Sequence, residues 1–210
     1  MKRRIQIKTL KDLFSKSNRT TKLVNLITLY RVIAAPFLLI FLFTGQTVLF
    51  KWLLLLSFST DAADGYLARK FKVNSVLGAK LDSVGDGLTI LVTVIGLIKL
   101  RLDFIEQQWP IVTILLSLFI VQVIFAFVRY KKLSSFHTYA AKISAVLLGI
   151  FMLSLFFFEQ PVYVLFYVAS IATAYELIEE IILVAILPRW LINVKGLYWV
   201  LKNRRKNKKG

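Results

Sequence analysis

The chain has 210 residues, 58% of them hydrophobic and 19% charged, with a mean hydropathy of +0.70. Soluble domains average about 45–50% apolar and about 25% charged residues, so an ordinary soluble domain is excluded, and so is a disordered chain. The net charge of +17 sits at the ends: residues 1–23 carry eight Lys/Arg and one Asp, and residues 188–210 carry eight Lys/Arg and no acid.

Taken in chain order, residues 4–17 place Ile7, Leu10 and Phe14 at helical spacing, with Lys8 and Lys11 elsewhere on the wheel. That pattern predicts a basic surface helix lying against anionic headgroups. Six apolar segments follow, near 23–43, 48–63, 76–99, 109–130, 136–158 and 162–187. A membrane helix needs about 20 mostly apolar residues, and a proline such as Pro36 is tolerable inside one. Residues 189–202 repeat the amphipathic plan with Trp190, Leu191, Val194, Leu197, Tyr198 and Leu201. The expected fold is therefore an all-α integral membrane protein: six transmembrane helices with basic amphipathic surface helices at both termini. Residues 1–210 form a single domain, divided into a basic juxtamembrane helix (1–22), a six-helix bundle (23–187) and a basic tail (188–210).

Orientation follows from Lys and Arg. With the N-terminus in the cytoplasm, Arg69, Lys70 and Lys72 fall in one inner loop, and Arg129, Lys131 and Lys132 in the next. The outer loops then hold only Lys51, Lys99 and Arg101. Both basic ends share the inner side, as an even number of spans requires. A cleaved signal peptide is not expected, because the first apolar run is too long for a signal core. Beside six spans, the basic ends are expected to bind a bilayer with anionic lipids and no nucleic acid.

The chemistry concentrates in residues 61–86, DAADGYLARKFKVNSVLGAKLDSVGD. Asp61 and Asp64 are spaced i, i+3, and Asp82 and Asp86 are spaced i, i+4, so on helices each pair shares a face. The first pair ends the second span and the second pair begins the third, both on the cytoplasmic side. Joined by a short loop, the two helices are antiparallel neighbours whose acidic faces can meet. Gly65, Ala68, Gly78 and Ala79 allow close approach. Four carboxylates at a membrane edge need positive charge among them. The chain has no cysteine and only one histidine, His137. Hard oxygen ligands then favour Mg²⁺, Mn²⁺ or Ca²⁺. Four carboxylates can hold two such ions, as in sites that serve phosphoryl-type displacement. The bland alternative is four helix-end aspartates facing water or paired with Arg69. A cation transporter using the same acids is a more remote one.

The stretch D-x-x-D-G-x-x-A-R, eight residues, then G-x-x-x-D-x-x-x-D resembles the signature of the CDP-alcohol phosphotransferase (phosphatidyltransferase) family. Asp61, Asp64, Gly65, Ala68, Arg69, Gly78, Asp82 and Asp86 occupy all eight of its positions. Upstream, Asn25, Thr28 and Arg31 are similar to the N-x-x-T-x-x-R that often opens the first span there. The resemblance implies a six-helix membrane enzyme, usually a homodimer, that uses two Mg²⁺ or Mn²⁺ ions. It would transfer a substituted phosphate, commonly phosphatidyl from CDP-diacylglycerol, to an acceptor hydroxyl and release CMP. By that resemblance Asp61, Asp64 and Asp82 bind metal, and Asp86 is general base and metal ligand. Gly65, Arg69, Ser75 and Asn25 meet the nucleotide. Arg129, Lys131, Lys132 and Lys142 form a basic group that can hold the phosphate of an acceptor by charge-assisted hydrogen bonds. Glycerol 3-phosphate or an inositol phosphate is the favoured acceptor; serine, inositol and diacylglycerol stay open. Glu176, Glu179 and Glu180 interrupt the sixth span, with functional and structural roles both open, among the latter pairing with Lys142 or Arg31.

Overall fold

The computed structural model describes residues 19–71, 76–131, 136, 138–189, 191 and 194–207; within these, the side chains of 19–25, 27, 28, 64–69, 71, 76–80, 82, 83 and 203–207 fall outside the description. The described residues are helical and contain no strand. The helices are α1 (Arg19–Phe43), α2 (Thr47–Phe71), α3 (Val76–Leu100), α4 (Leu102–Gln107), α5 (Trp109–Tyr130), α6 (Tyr139–Phe157), α7 (Tyr163–Ile186) and α8 (Leu197–Asn207). They group into two compact units, residues 1–100 and 101–210.

In the first unit α1 packs against both α2 and α3. Its buried stripe is Arg31, Ala34, Ala35, Leu38 and Leu42, at the i, i+3, i+4, i+7, i+11 spacing of one helix face. The α2 stripe is Phe50, Leu54 and Ser57, and the α3 stripe is Thr89, Val92 and Thr93. The buried hydroxyls bond back to carbonyls one turn earlier, Ser57 to Leu53 at 3.0 Å, Thr89 to Gly85 at 2.9 Å and Thr93 to Thr89 at 2.7 Å. Polar groups thus enter a close helix interface already satisfied. The chain leaves α1 through Gly45 at φ 76°, the left-handed conformation that suits glycine after a helix.

In the second unit α7 packs against α5 and α6. Phe104 of α4 is fully buried against Phe151 of α6 and Phe166 of α7, with ring centroids 5.6 and 5.1 Å away. Arg101 closes the C-terminal end of α6: Nε donates to the Leu155 carbonyl at 2.6 Å, Nη1 to Glu159 at 2.8 Å, and Nη2 to Phe158. A guanidinium on the last carbonyls also suits the negative end of the helix dipole.

Several expectations are amended. The second helix does not stop at Ala63 but continues to Phe71, because Ala62, Ala63, Leu67, Ala68, Arg69 and Lys70 are all good helix formers. The expected loop 101–108 contains α4, held by the burial of Phe104. The fifth expected span, α6, begins at Tyr139 and not at Phe136, and the Thr138 hydroxyl accepts from the Ala141 amide at 3.1 Å. The C-terminal helix begins at Leu197, after Gly196 at φ 145°. The predicted helix over 4–17 lies outside the described residues.

Exposure runs opposite to that of a soluble bundle. On α5, Ile114, Leu116, Phe119, Val121, Ile124 and Val128 are exposed, while the buried residues are Gln122 and Ala126. Among the described residues α5 and α6 are long and apolar enough to cross a membrane, and within α1 the run Leu29–Phe43 is apolar but shorter. Among the described residues two of the six expected spans, the fourth and the fifth, meet this measure. The remaining long helices carry charges in their apolar runs, as with Arg31 in α1, Asp61 in α2, Asp86 in α3 and Glu176, Glu179 and Glu180 in α7.

Replacing Arg101 by Ala removes charged donors from three carbonyls, a loss of about 1.5–3 kcal/mol for hydrogen bonds of this kind. Thermal unfolding of the detergent-solubilised variant, followed by circular dichroism, should show that loss as a lowered midpoint.

Candidate active site

The buried stripes of α1, α2 and α3 end on charged groups that meet. Arg31 opens the α1 stripe. Asp61 lies one turn beyond Ser57 on α2, and Asp86 lies three residues before Thr89 on α3. Arg31 Nη1 donates to Oδ1 of Asp61 and to Oδ1 of Asp86, so one guanidinium nitrogen joins a carboxylate from each of the two neighbouring helices. The arginine side chain is 1% exposed, whereas those of Asp61 and Asp86 are 47% and 42% exposed. The positive charge is therefore at the back of the site and the acids form its open side.

Gly85 makes this approach possible. A Cβ at that position would stand 3.4 Å from Arg31 Cβ, 3.7 Å from Nε and 3.8 Å from Cζ. Arg31 thus lies along the α3 backbone, next to the aspartate it binds. Sequence reasoning gave no role to Gly85 and named Arg31 only in the N-x-x-T-x-x-R resemblance and as a candidate partner of the sixth-span glutamates, whereas the structure pairs it with Asp61 and Asp86. The available signal was an arginine inside an apolar span, which requires a partner.

Carboxylate oxygens of this kind are the hard donors that Mg²⁺ and Mn²⁺ take. Among the described residues no group of three or more His, Cys, Asp or Glu side chains comes together. Of the four expected ligands, Asp61 and Asp86 are brought together by Arg31. Asp64 and Asp82 lie on α2 and α3, three residues after Asp61 and four before Asp86 in the chain, with side chains outside the description. Gly65 and Arg69 of α2 and Asn25 of α1 are in the same position, and Ser75 lies outside the described residues.

The basic residues considered for an acceptor belong to the second unit. Arg129 donates to the Leu187 carbonyl at 3.3 Å, at the end of α7. Lys131 is exposed and ends α5 in the left-handed conformation, with φ 55°. The Lys142 ammonium lies 5.5 Å from the centre of the Tyr139 ring. Lys132 and His137 lie outside the described residues. The glutamates of α7 have local partners: Gln122 Nε2 donates to Glu180 at 2.6 Å, and the Leu197 amide donates to Glu179 at 2.9 Å. Two of the three acids in the expected sixth span thus take structural contacts, one with a neutral amide and one at the start of α8.

Broad outward apolar faces suit a membrane protein, and within it Asp61 and Asp86, from the middles of two adjoining helices and not from their ends as expected, meet one buried arginine. Residues 21–187 match the CDP-alcohol phosphatidyltransferase family, and the chain belongs to that family. It is accordingly a transferase acting between a CDP-alcohol and an acceptor alcohol, in a family that is generally Mg²⁺- or Mn²⁺-dependent. No solved structure matches the chain.

Gly85→Ala should be neutral or slightly stabilising, since 3.4 Å is ordinary contact and alanine favours a helix by roughly 0.5–1 kcal/mol over glycine. Gly85→Leu should drive its side chain into Arg31 and cost about 1–3 kcal/mol, as overpacking does. Thermal midpoints of the two purified variants check both signs.

Proposed function

We propose that the protein transfers a phosphatidyl group from CDP-diacylglycerol to the hydroxyl of a polar, phosphorylated acceptor, with release of CMP, in phospholipid synthesis. The observation that supports this most directly is the convergence of Asp61 and Asp86 on one cationic centre, within a chain of this family. Glycerol 3-phosphate or an inositol phosphate is the acceptor class we favour, because basic side chains are available at Arg129, Lys131, Lys132 and Lys142.

In this reading Asp61, Asp64, Asp82 and Asp86 hold two Mg²⁺ or Mn²⁺ ions. The ions would supply charge neutralisation at the diphosphate and at the leaving phosphate. Asn25, Gly65, Arg69 and Ser75 contact the cytidine nucleotide. Asp86 accepts the acceptor's hydroxyl proton as the oxygen attacks the phosphorus bonded to the lipid alcohol. The bond from that phosphorus to the bridging oxygen breaks, and its electron pair leaves with CMP. A carboxylate is a weak base, but one held within hydrogen-bond reach can take the proton as the bond forms. Site residues on the halves of α2 and α3 nearer their connecting loop suit a lipid substrate arriving laterally and water-soluble partners arriving from the cytosol. We assign six spans, both termini and the site on the cytoplasmic side, basic ends on anionic lipid, and a homodimer.

Purified protein in lipid nanodiscs, given radiolabelled CDP-diacylglycerol, Mg²⁺ or Mn²⁺ and each acceptor in turn, should release CMP with one acceptor and form the matching lipid. Chelation should stop the reaction. Asp86→Asn should lower kcat by about 10²–10⁴-fold, the usual worth of a general base, with the fold intact. No CMP from any acceptor, including serine, inositol and diacylglycerol, would overturn the assignment.

A further inference from the structure

Arg31 is the only lysine or arginine among the described buried residues, and the reaction above makes no use of it. Its guanidinium nevertheless holds the two acids on which that reaction depends. Nη1 donates to Oδ1 of Asp61 and to Oδ1 of Asp86, the same carboxylates that would hold a divalent ion. Mg²⁺ binds oxygen at about 2.0–2.1 Å. An ion at that distance from both oxygens would be in contact with the nitrogen, and two cations repel at such range. The ion and Arg31 in this pose therefore exclude each other.

We propose that Arg31 is a built-in counter-ion that closes the acidic site in the metal-free enzyme, and that a divalent ion binds by displacing it. Arg31 thereby sets the affinity for the metal. The inference rests on the assignment of Asp61 and Asp86 as metal ligands.

The exchange has a direction. Asp61 and Asp86 are roughly half exposed and Arg31 is buried, so an ion reaches the carboxylates from the open side while the guanidinium withdraws from behind. Gly85 lets Cβ, Nε and Cζ of Arg31 lie close against α3. The exchange is also favoured by charge, since a divalent ion brings two positive charges to the place that held one. Without a metal, the arginine keeps two carboxylates of neighbouring helices from repelling each other. A helix bundle can then assemble in lipid before any ion arrives.

Mn²⁺ binding to the full-length protein in nanodiscs, without lipid substrate and read by electron paramagnetic resonance, tests this. Arg31→Gln should raise Mn²⁺ affinity about tenfold, equivalent to about 1.4 kcal/mol. It should also lower the thermal midpoint in EDTA and enlarge the rise in midpoint on adding Mn²⁺. Unchanged or weaker Mn²⁺ binding by Arg31→Gln would overturn the proposal, weaker binding being the mark of an arginine that only orients the acids. The parent protein gives a second readout that needs no variant at this position. Phenylglyoxal labelling of Arg31, mapped by peptide mass spectrometry, should be low in EDTA and rise with Mn²⁺; no rise would overturn the exchange. Asp61→Asn and Asp86→Asn separate the two levels of inference. If they abolish Mn²⁺ binding while Arg31→Gln matches the parent, the counter-ion role fails and the metal site stands. If they leave Mn²⁺ binding intact, the site assignment fails and the counter-ion role with it.

Discussion

A carboxylate in an apolar medium has to be met by positive charge, and the first unit is organised around that requirement. Asp61 and Asp86 come from different helices, and repulsion between them would open the α2–α3 contact. Arg31 from α1 joins them through a single nitrogen. Its own burial is tolerable for the same reason, since a buried guanidinium is stable only with its charge matched. The small side chains that bring α1 close, Ala34 and Ala35, lie in the next turn of the same stripe. Packing and electrostatics thus impose one register: moving α1 by one residue would take both its alanines and its arginine off the interface.

The second unit answers the same physical demand without a cation. Glu180 takes a hydrogen bond from the neutral Gln122, and Glu179 receives the amide of Leu197 at the head of α8, where the helix dipole is positive. The carbonyl ends are treated in the complementary way. Arg101 covers the end of α6, while the Tyr130 hydroxyl and Arg129 meet the last carbonyls of α7. In lipid these backbone groups have no water to turn to, so side-chain partners at helix ends do what solvent does elsewhere.

Much of the helical frame was legible. The run over α5 ended at Gln108 and Lys131 because apolar residues gave way to polar ones at both ends, and the structure bounds α5 at Trp109 and Tyr130. Boundaries failed where a helix continued through polar residues, as α2 does to Phe71, or where burial of one side chain made a helix of a loop, as Phe104 does in α4. The aspartate motif was legible because its spacing is local, and the family match over residues 21–187 bears out the family it resembles. The partner of the aspartates was not, because Arg31 lies 30 residues before Asp61 and 55 before Asp86, and only the packing of α1 brings it there. Spacing within a helix reveals which acids act together; it does not reveal the third helix that answers them.

The same distinction explains why the transferase reaction is better marked in the chain than its acceptor. The motif is one continuous stretch in the first unit, and helical geometry places each of its aspartate pairs on one helix face. The basic residues considered for the acceptor are scattered over the second unit, and each also has a local reason to be where it is. Arg129 meets a helix-end carbonyl, Lys131 terminates α5, and Lys142 lies over a tyrosine ring. A guanidinium has five N–H donors, so Arg129 can serve the Leu187 carbonyl and a phosphate alike. A basic residue in a membrane protein thus carries topology, capping and recognition in one side chain. Composition alone does not separate these uses, whereas an aspartate repeated at one-turn spacing on two adjoining helices has far fewer reasons to exist.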